Sequence, residues 1–524
     1  MKLLKLWLFT LKNESLIFAR SRYWLVPATW GLVIFLLSPR FGTTYSPDSY
    51  AYYLIGTNFI SGFGYVSQAI RDFYLQFSPD FFQPSRSFPP LMPILVGITD
   101  KLFPLGISSG LLVNIVVLLA MLHVHFFFSK KFSGKFFWII FLALPVLFFR
   151  NNGFIAEILA GRSIPLVGFL YTFIILIISS HTITVRKSFL LGALLGLLFL
   201  TRFDSLIFCF LFVGFLYFFK IAHLRWVIFG WLIVLSPWLV RNIIVFGNPL
   251  ASDNSITVFS THPAMVQISW FENIPMWGDN PGLWVTQRLS YVYENSKIIF
   301  RLFFRIGGPL TIALAALGLY IPNTPKIIKI YTAVAWLWLI SNVVAVSLTP
   351  YHDERYFSLS VFAVGLSALL IALNWLFNKK RKKLNRNGDS ITGATSSQTN
   401  HWIYLVMVLS VAIGLGGYFV KPKIVAGDIN SNTHQCVYNE FKNEITRDHL
   451  VAYTMAEQLA YYSQWKTIYL PLNLTEPDEH FLSWKLKFNV SYAILPEGSN
   501  LAKHPQFTMK KKACGFVLVD FTKS

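Results

Sequence analysis

The chain has 524 residues, of which 54% are hydrophobic, 17% aromatic and only 13% charged, with a mean hydropathy of +0.53. A soluble domain carries roughly a quarter charged residues, so that class is excluded, as is a transmembrane β-barrel, whose strands alternate over about ten residues. The net charge of +21 is not a nucleic-acid footprint, because the basic residues fill short breaks between apolar runs and form no contiguous basic face.

Apolar runs of about 20 residues match a hydrocarbon core of about 30 Å and predict a polytopic α-helical membrane protein. Residues 1–22 form a basic cytosolic N-terminus. The first run, Tyr23–Ser38, follows Arg20-Ser-Arg22, lacks a small-residue cleavage site and reads as a retained span. It opens a first outer loop, residues 39–106, with Asp48 inside Ser46-Pro-Asp-Ser-Tyr-Ala-Tyr-Tyr53 and with Arg71, Asp72 and Arg86 farther along. Pro89–Phe103 is short, starts with Pro-Pro and contains Asp100 and Lys101. It suits an interfacial helix lying on the outer surface.

The predicted spans then run Ile107–Phe128, Phe136–Phe149, Ser163–Ser179, Phe189–Leu200, Leu206–Phe219, Trp226–Val240, Ile298–Ile321, Ile330–Leu348 and Phe357–Phe377. An outer loop at 250–297, a basic cytosolic linker at 379–402 and a last span, Ile403–Val420, complete the membrane part. That makes about 11 spans. This threading places Lys130, Lys131 and Lys135, Arg186 and Lys187, Lys220 and Arg225, Lys326 and Lys329, and the Lys379–Lys383 block inside, as the positive-inside rule requires. Counting Pro89–Phe103 as a span would put the Lys379 block outside. The expected location is therefore the plasma (inner) membrane, multi-pass, with 23–378 as the transmembrane domain.

Residues 421–524 are expected outside as a small α/β domain. Helical stretches near His449–Gln464 and Pro477–Lys487 alternate there with β-rich runs at Lys466–Pro471, Ser491–Pro496 and Cys514–Asp520. Cys209 lies in an apolar run and reads as a packing residue. Cys436 and Cys514 form a disulfide or remain two thiols, and both readings stay open.

The threading collects Asp48, Arg86, Glu157, Arg162, Arg202, Asp204, Arg241, His352, Asp353, Glu354 and Arg355 at the outer face. Acids and arginines at the ends of several spans suggest a polar site opening outward, in which a guanidinium donates two hydrogen bonds to a phosphate. Each residue also has a bland reading. Asp48 is placed to cap a following helix, and Glu157 to be a solvated loop residue. Arg202 and Arg241 suit interfacial anchors, and Asp353 with Arg355 a local surface ion pair. A P-loop, a Rossmann fingerprint, Cys/His metal spacing and His-Glu-x-x-His are all missing, which removes a soluble nucleotide-sugar site. A divalent metal is allowed, but no spacing demands one.

Four stretches carry a resemblance. Pro47-Asp-Ser-Tyr-Ala-Tyr-Tyr53 with Gly62-Phe-Gly-Tyr65, and Phe88-Pro-Pro-Leu-Met-Pro93, are the first two. Leu200-Thr-Arg-Phe-Asp204 with Pro237-Trp-Leu-Val-Arg-Asn242 and Gly247-Asn-Pro249, and then Asp353-Glu-Arg-Tyr356, complete the set. In this order, over approximately residues 23–375, the chain resembles the GT-C superfamily of membrane glycosyltransferases. It is most similar to the branch that includes protein O-mannosyltransferases and lipid A aminoarabinose transferases. The resemblance implies a polyprenyl-phosphate sugar donor, an acceptor hydroxyl on the extracytosolic face and inversion at the sugar carbon. It also implies Asp48 as general base, Glu157 as a second acid, and Arg241, Arg202, Arg355, His352, Arg86 and Tyr52 as substrate-binding residues. The second acid of that family is often Asp, so Glu157 departs from the pattern. No MIR-type β-trefoil insertion is visible, which argues against a eukaryotic protein mannosyltransferase. The rivals are a transporter or flippase of lipid-linked sugars, an oligosaccharide polymerase or ligase, and a non-catalytic scaffold. A transporter predicts internal repeats and mid-span acids, and the charges here sit at span ends.

Overall fold

The computed structural model describes residues 45–67, 69–70, 83–133, 152–180, 182–252, 258–261, 276–305, 309–320, 324–350, 352–386, 431–445, 449–463, 465–470, 479–505 and 507–522. The expected spans Tyr23–Ser38, Phe136–Phe149 and Ile403–Val420, and also Arg71 and Asp72, lie outside the described residues.

The described residues of the first outer loop carry two helices and three short strands. Helix α1 (Pro47–Ile60) precedes three two-residue strands, β1 (Val66–Ser67), β2 (Ala69–Ile70) and β3 (Gln83–Pro84), and then helix α2 (Leu91–Leu102). Pro at the first helical position suits α1, since its missing N–H would have no partner inside the helix. Ser46 is the N-cap, and its N–H donates to Ser49 Oγ at 3.2 Å, so the serines close the helix end and Asp48 occupies the first turn. α1 and α2 cross at Gly56 and Gly97, where a Cβ on Gly56 would overlap the Pro93 carbonyl. The crossing therefore requires glycine.

The bundle continues with α3 (Ser109–Ser133), α4 (Asn152–Leu159), α5 (Ile164–Ile178), α6 (Val185–Thr201), α7 (Ser205–Phe218), α8 (Leu224–Phe246), α9 (Pro281–Arg305), α10 (Pro309–Leu317), α11 (Lys326–Ser347) and α12 (Glu354–Arg386). Among the described residues, three helices are long and apolar enough to cross a membrane on their own, or up to four if the bent pair α9 and α10 counts as one. One apolar core joins α1 and α2 to the bundle, with Ile55, Met92, Phe154, Leu195, Phe212, Val334 and Phe357 buried together. Two expectations change. The segment before Arg162, read as loop, is helix α4, and α9 begins at Pro281, well ahead of the expected span start at Ile298.

The C-terminal part contains α13 (Ser431–Phe441), β4 (Leu450–Tyr453), α14 (Ala456–Ser463), β5 (Lys466–Tyr469), α15 (Glu479–Phe488), β6 (Tyr492–Pro496), β7 (Thr508–Ala513) and β8 (Phe516–Asp520). The stretch read as one helix near His449–Gln464 divides into β4 and α14. The sheet has six strands in the order β2-β5-β4-β6-β8-β7, parallel through β6 and antiparallel from there. Alternate residues face opposite layers, as the pleat dictates. Leu450, Ala452, Ala493, Leu495, Val517 and Val519 meet Phe481, Trp484 and Phe488 of α15. Val451, Tyr453, Ile494, Phe516 and Leu518 meet Val437 and Phe441 of α13 and Leu459 of α14. Cys436 and Cys514 are bridged, tying α13 to the β7–β8 turn. A closed loop of that size stabilises the fold by about 4 kcal/mol in chain-entropy terms.

Candidate active site

Asp48 is the second residue of α1, so its carboxylate and Tyr52, one turn on, share a face by the i, i+4 rule. Asp48 Oδ2 is 4.0 Å from Arg162 Nε. Arg162 is the hub of this corner. Its Nε donates to Ser46 Oγ at 2.6 Å, and its Nη1 donates to Glu157 Oε1 at 2.7 Å. The residue sits just past α4 on a turn made by Gly161 at φ +66°, where a Cβ would stand 2.9 Å from the Gly110 carbonyl carbon. Left-handed backbone and close contact both call for glycine there. Asn114, buried in α3, fixes the same turn by donating to the carbonyls of Glu157, Ile158 and Arg162 at 3.2, 3.3 and 2.9 Å.

Glu157 is 2% exposed and is no solvated loop residue. Its Oε1 also lies 3.7 Å from Arg355 Nη1. Burying a carboxylate is costly without partners of opposite sign, and here there are two. For Arg162, burial works against the charge and so does Arg355. Glu157 and Asp48 outweigh them and hold the guanidinium above the usual arginine range. Arg355, at the start of α12, pairs with Asp353 at 3.3 Å and donates from Nη2 to Tyr356 Oη at 3.0 Å. The Tyr356 ring lies under two guanidinia, Arg355 at 4.9 Å and Arg202 at 5.1 Å. Arg202 itself forks onto Asp204, at 2.7 to 3.1 Å. Tyr52 is buried beside them and donates to Ser163 Oγ at 3.4 Å. Burial first, then the Asp48 charge, push its hydroxyl up to about 12.

A second group stands next to this one. Arg241 lies 4.7 Å over the Trp238 ring, 5.0 Å over Phe246 and 5.5 Å over Tyr65. Its Nη1 donates to Asn242 Oδ1 at 2.9 Å and its Nη2 to the Tyr65 carbonyl at 3.3 Å. Arg86 shares the Phe246 ring at 5.3 Å. The motif stretches hold one another here. Tyr65 Oη donates to the Phe88 carbonyl at 3.0 Å, and Asn242 Nδ2 to the Pro249 carbonyl at 3.2 Å. The ring contacts Tyr52–Phe88, at 4.9 Å, and Phe203–Trp238, at 6.4 Å, join the two groups.

Of the residues nominated from sequence, Asp48, Tyr52, Glu157, Arg202 and Arg355 meet in the first group, and Arg86 and Arg241 in the second. His352 follows neither. Its Nδ1 faces Asn295 Oδ1 at 3.1 Å and its ring packs on Tyr291. Sequence reasoning placed Arg162 at the outer face but gave it no role. The signal was its spacing from Glu157 across a glycine turn. Among the described residues, no three His, Cys, Asp or Glu side chains are grouped to hold a metal ion.

Comparison with solved structures places this architecture. The chain is similar to ArnT from Cupriavidus metallidurans bound to undecaprenyl phosphate, with a TM-score of 0.58 and 12% identity over 95% of this chain and 98% of that one. The apo state of the same protein aligns with a TM-score of 0.56 and 14% identity, over 96% and 98% of the two chains. The chain shares the fold of these structures, and the likeness extends over nearly its whole length. No protein-family model matches the sequence, and no curated protein sequence matches it.

Proposed function

We propose that this chain is a membrane glycosyltransferase of the GT-C kind that moves a sugar from a polyprenyl-phosphate donor to an acceptor hydroxyl on the extracytosolic face. The observation that carries the reading is the meeting of Asp48 with Arg162, Glu157 and Arg355, from three separated stretches of one chain. The similar fold of ArnT with bound undecaprenyl phosphate supports the donor class.

In this reading Asp48 takes the proton of the acceptor hydroxyl as its oxygen bonds to the anomeric carbon. The bond from that carbon to the lipid phosphate breaks, and the phosphate leaves with the electron pair. Attack from the opposite face inverts the carbon. Developing charge on the leaving phosphate needs fixed donors in a partly dry site. Arg241 is the first choice, since three rings flank its guanidinium and its contacts to Asn242 and the Tyr65 carbonyl are to neutral acceptors that a phosphate would outcompete. Arg86 shares the Phe246 ring with it. Arg202 and Arg355 follow, because carboxylates already engage both. Glu157 and Arg162 hold Asp48 in place.

The test incubates purified protein with radiolabelled polyprenyl-phosphate sugars and a panel of glycan, lipid and protein acceptors. Asp48→Asn should lower transfer by about 100- to 10,000-fold while undecaprenyl phosphate still binds. A fully active variant removes the proposed base.

A further inference from the structure

α1 carries the acid on one face, and another face belongs to a different part of the chain. Tyr50 and Tyr53 meet the Tyr461 ring of α14 edge-on, at 5.3 and 5.2 Å. Ala456 and Ala460, both fully buried, pack against Leu54 of α1 and Ala69 of β2. Strand β2, from the same outer loop, adds in parallel to the edge of the C-terminal sheet, Ala69 opposite Thr467 and Ile70 opposite Ile468. Tyr461 Oη also accepts from the Ile107 N–H at 3.3 Å. Asp100 closes the seam, accepting from Tyr53 Oη at 3.1 Å, the Gly106 N–H at 2.8 Å and Ser109 Oγ at 3.0 Å.

Residues 48 and 52 thus face the arginines, while 50, 53 and 54 face α14. A short helix held on two sides cannot rotate, and rotation by one residue step would swing the carboxylate about 100° away from its partners. From this seam we infer that the C-terminal α/β domain is a positioning element of the active site, with Tyr461 and Ala460 setting the angle of the helix that carries Asp48. The functional half of this inference rests on the base role proposed for Asp48; the mechanical half does not.

The test uses full-length protein in lipid nanodiscs. Ala460→Phe wedges the seam, Tyr461→Ala empties it, and Tyr461→Phe keeps both ring contacts. Hydrogen exchange over residues 47–60 is measured with binding of undecaprenyl phosphate and single-turnover transfer from the radiolabelled donors. Ala460→Phe and Tyr461→Ala should lose protection over 47–60 and lower kcat by about 10- to 100-fold with donor binding unchanged. Tyr461→Phe should restore both. If Ala460→Phe fails to fold, Tyr461→Ala against Tyr461→Phe decides alone. Unchanged protection, or unchanged kcat beside an inactive Asp48→Asn, overturns the inference. An active Asp48→Asn removes the base assignment and leaves the exchange result to judge the docking.

Discussion

Arg162 and Arg241 stand in neighbouring corners of one site and are held by opposite means. Arg162 is fixed by two acids, a serine and a glycine turn, and it shares the oxygen of Glu157 with Arg355. Arg241 is gripped by the rings of Tyr65, Trp238 and Phe246. Ion pairing sets position through charge, so removing one member leaves its partners facing each other in a poor solvent. Ring stacking sets orientation through shape and gives way gradually. On the function proposed above, the contrast suits Arg162 to holding the base Asp48 and Arg241 to receiving the anion.

The largest effect should come from Glu157→Gln, which leaves Arg162 and Arg355 without their shared carboxylate. Breaking a buried pair costs about 3–5 kcal/mol, and the lower end applies because the arginines stay 20% and 23% exposed. Thermal unfolding should shift clearly and transfer should fall with it; unaltered stability would mean that Glu157 is no keystone. Arg241→Lys keeps the charge and loses the stacked plane. Donor affinity should drop by about 3- to 30-fold with stability little changed, in line with cation–π energies of about 0.5–2 kcal/mol. Equal affinity would return Arg241 to an anchoring role.

His352→Asn should give the smallest effect, visible only in acid. Burial lowers the His352 pKa below its ordinary 6.5, with Glu294 opposing. The unfolded chain then binds the proton more readily, so this contribution to stability is full above about pH 6.5 and is lost as pH falls. The variant should match the parent at pH 8 and show a flatter decline below pH 6.5. Parallel declines would exclude the imidazole.

Asp48 and the order of motif stretches were legible because a carboxylate at a membrane boundary is costly and stands out. β6 and β8 were legible as short continuous apolar runs, whereas β4 was read as part of a helix because a strand buried on both faces shows no alternation to mark it. Arg162 was not legible as a hub, since its role depends on Glu157 lying inside a helix and on Gly110 arriving from α3. Strand β7 escaped notice because Met509-Lys-Lys-Lys512 is a polar edge strand; lysines at such an edge deter pairing with another chain. The contribution of β2 was equally hidden, since two residues carry no periodicity and their partner lies almost four hundred positions away.

The Gly110–Gly161 contact has a further consequence. The alignment of the charged corner depends on two main chains touching with nothing between them. An added methyl at Gly161 would force a shift beside Arg162, and one at Gly110 would press on the Gly161 backbone, without altering one ionisable atom. The electrostatics of this corner are therefore vulnerable to the mildest of substitutions at a place that carries no charge.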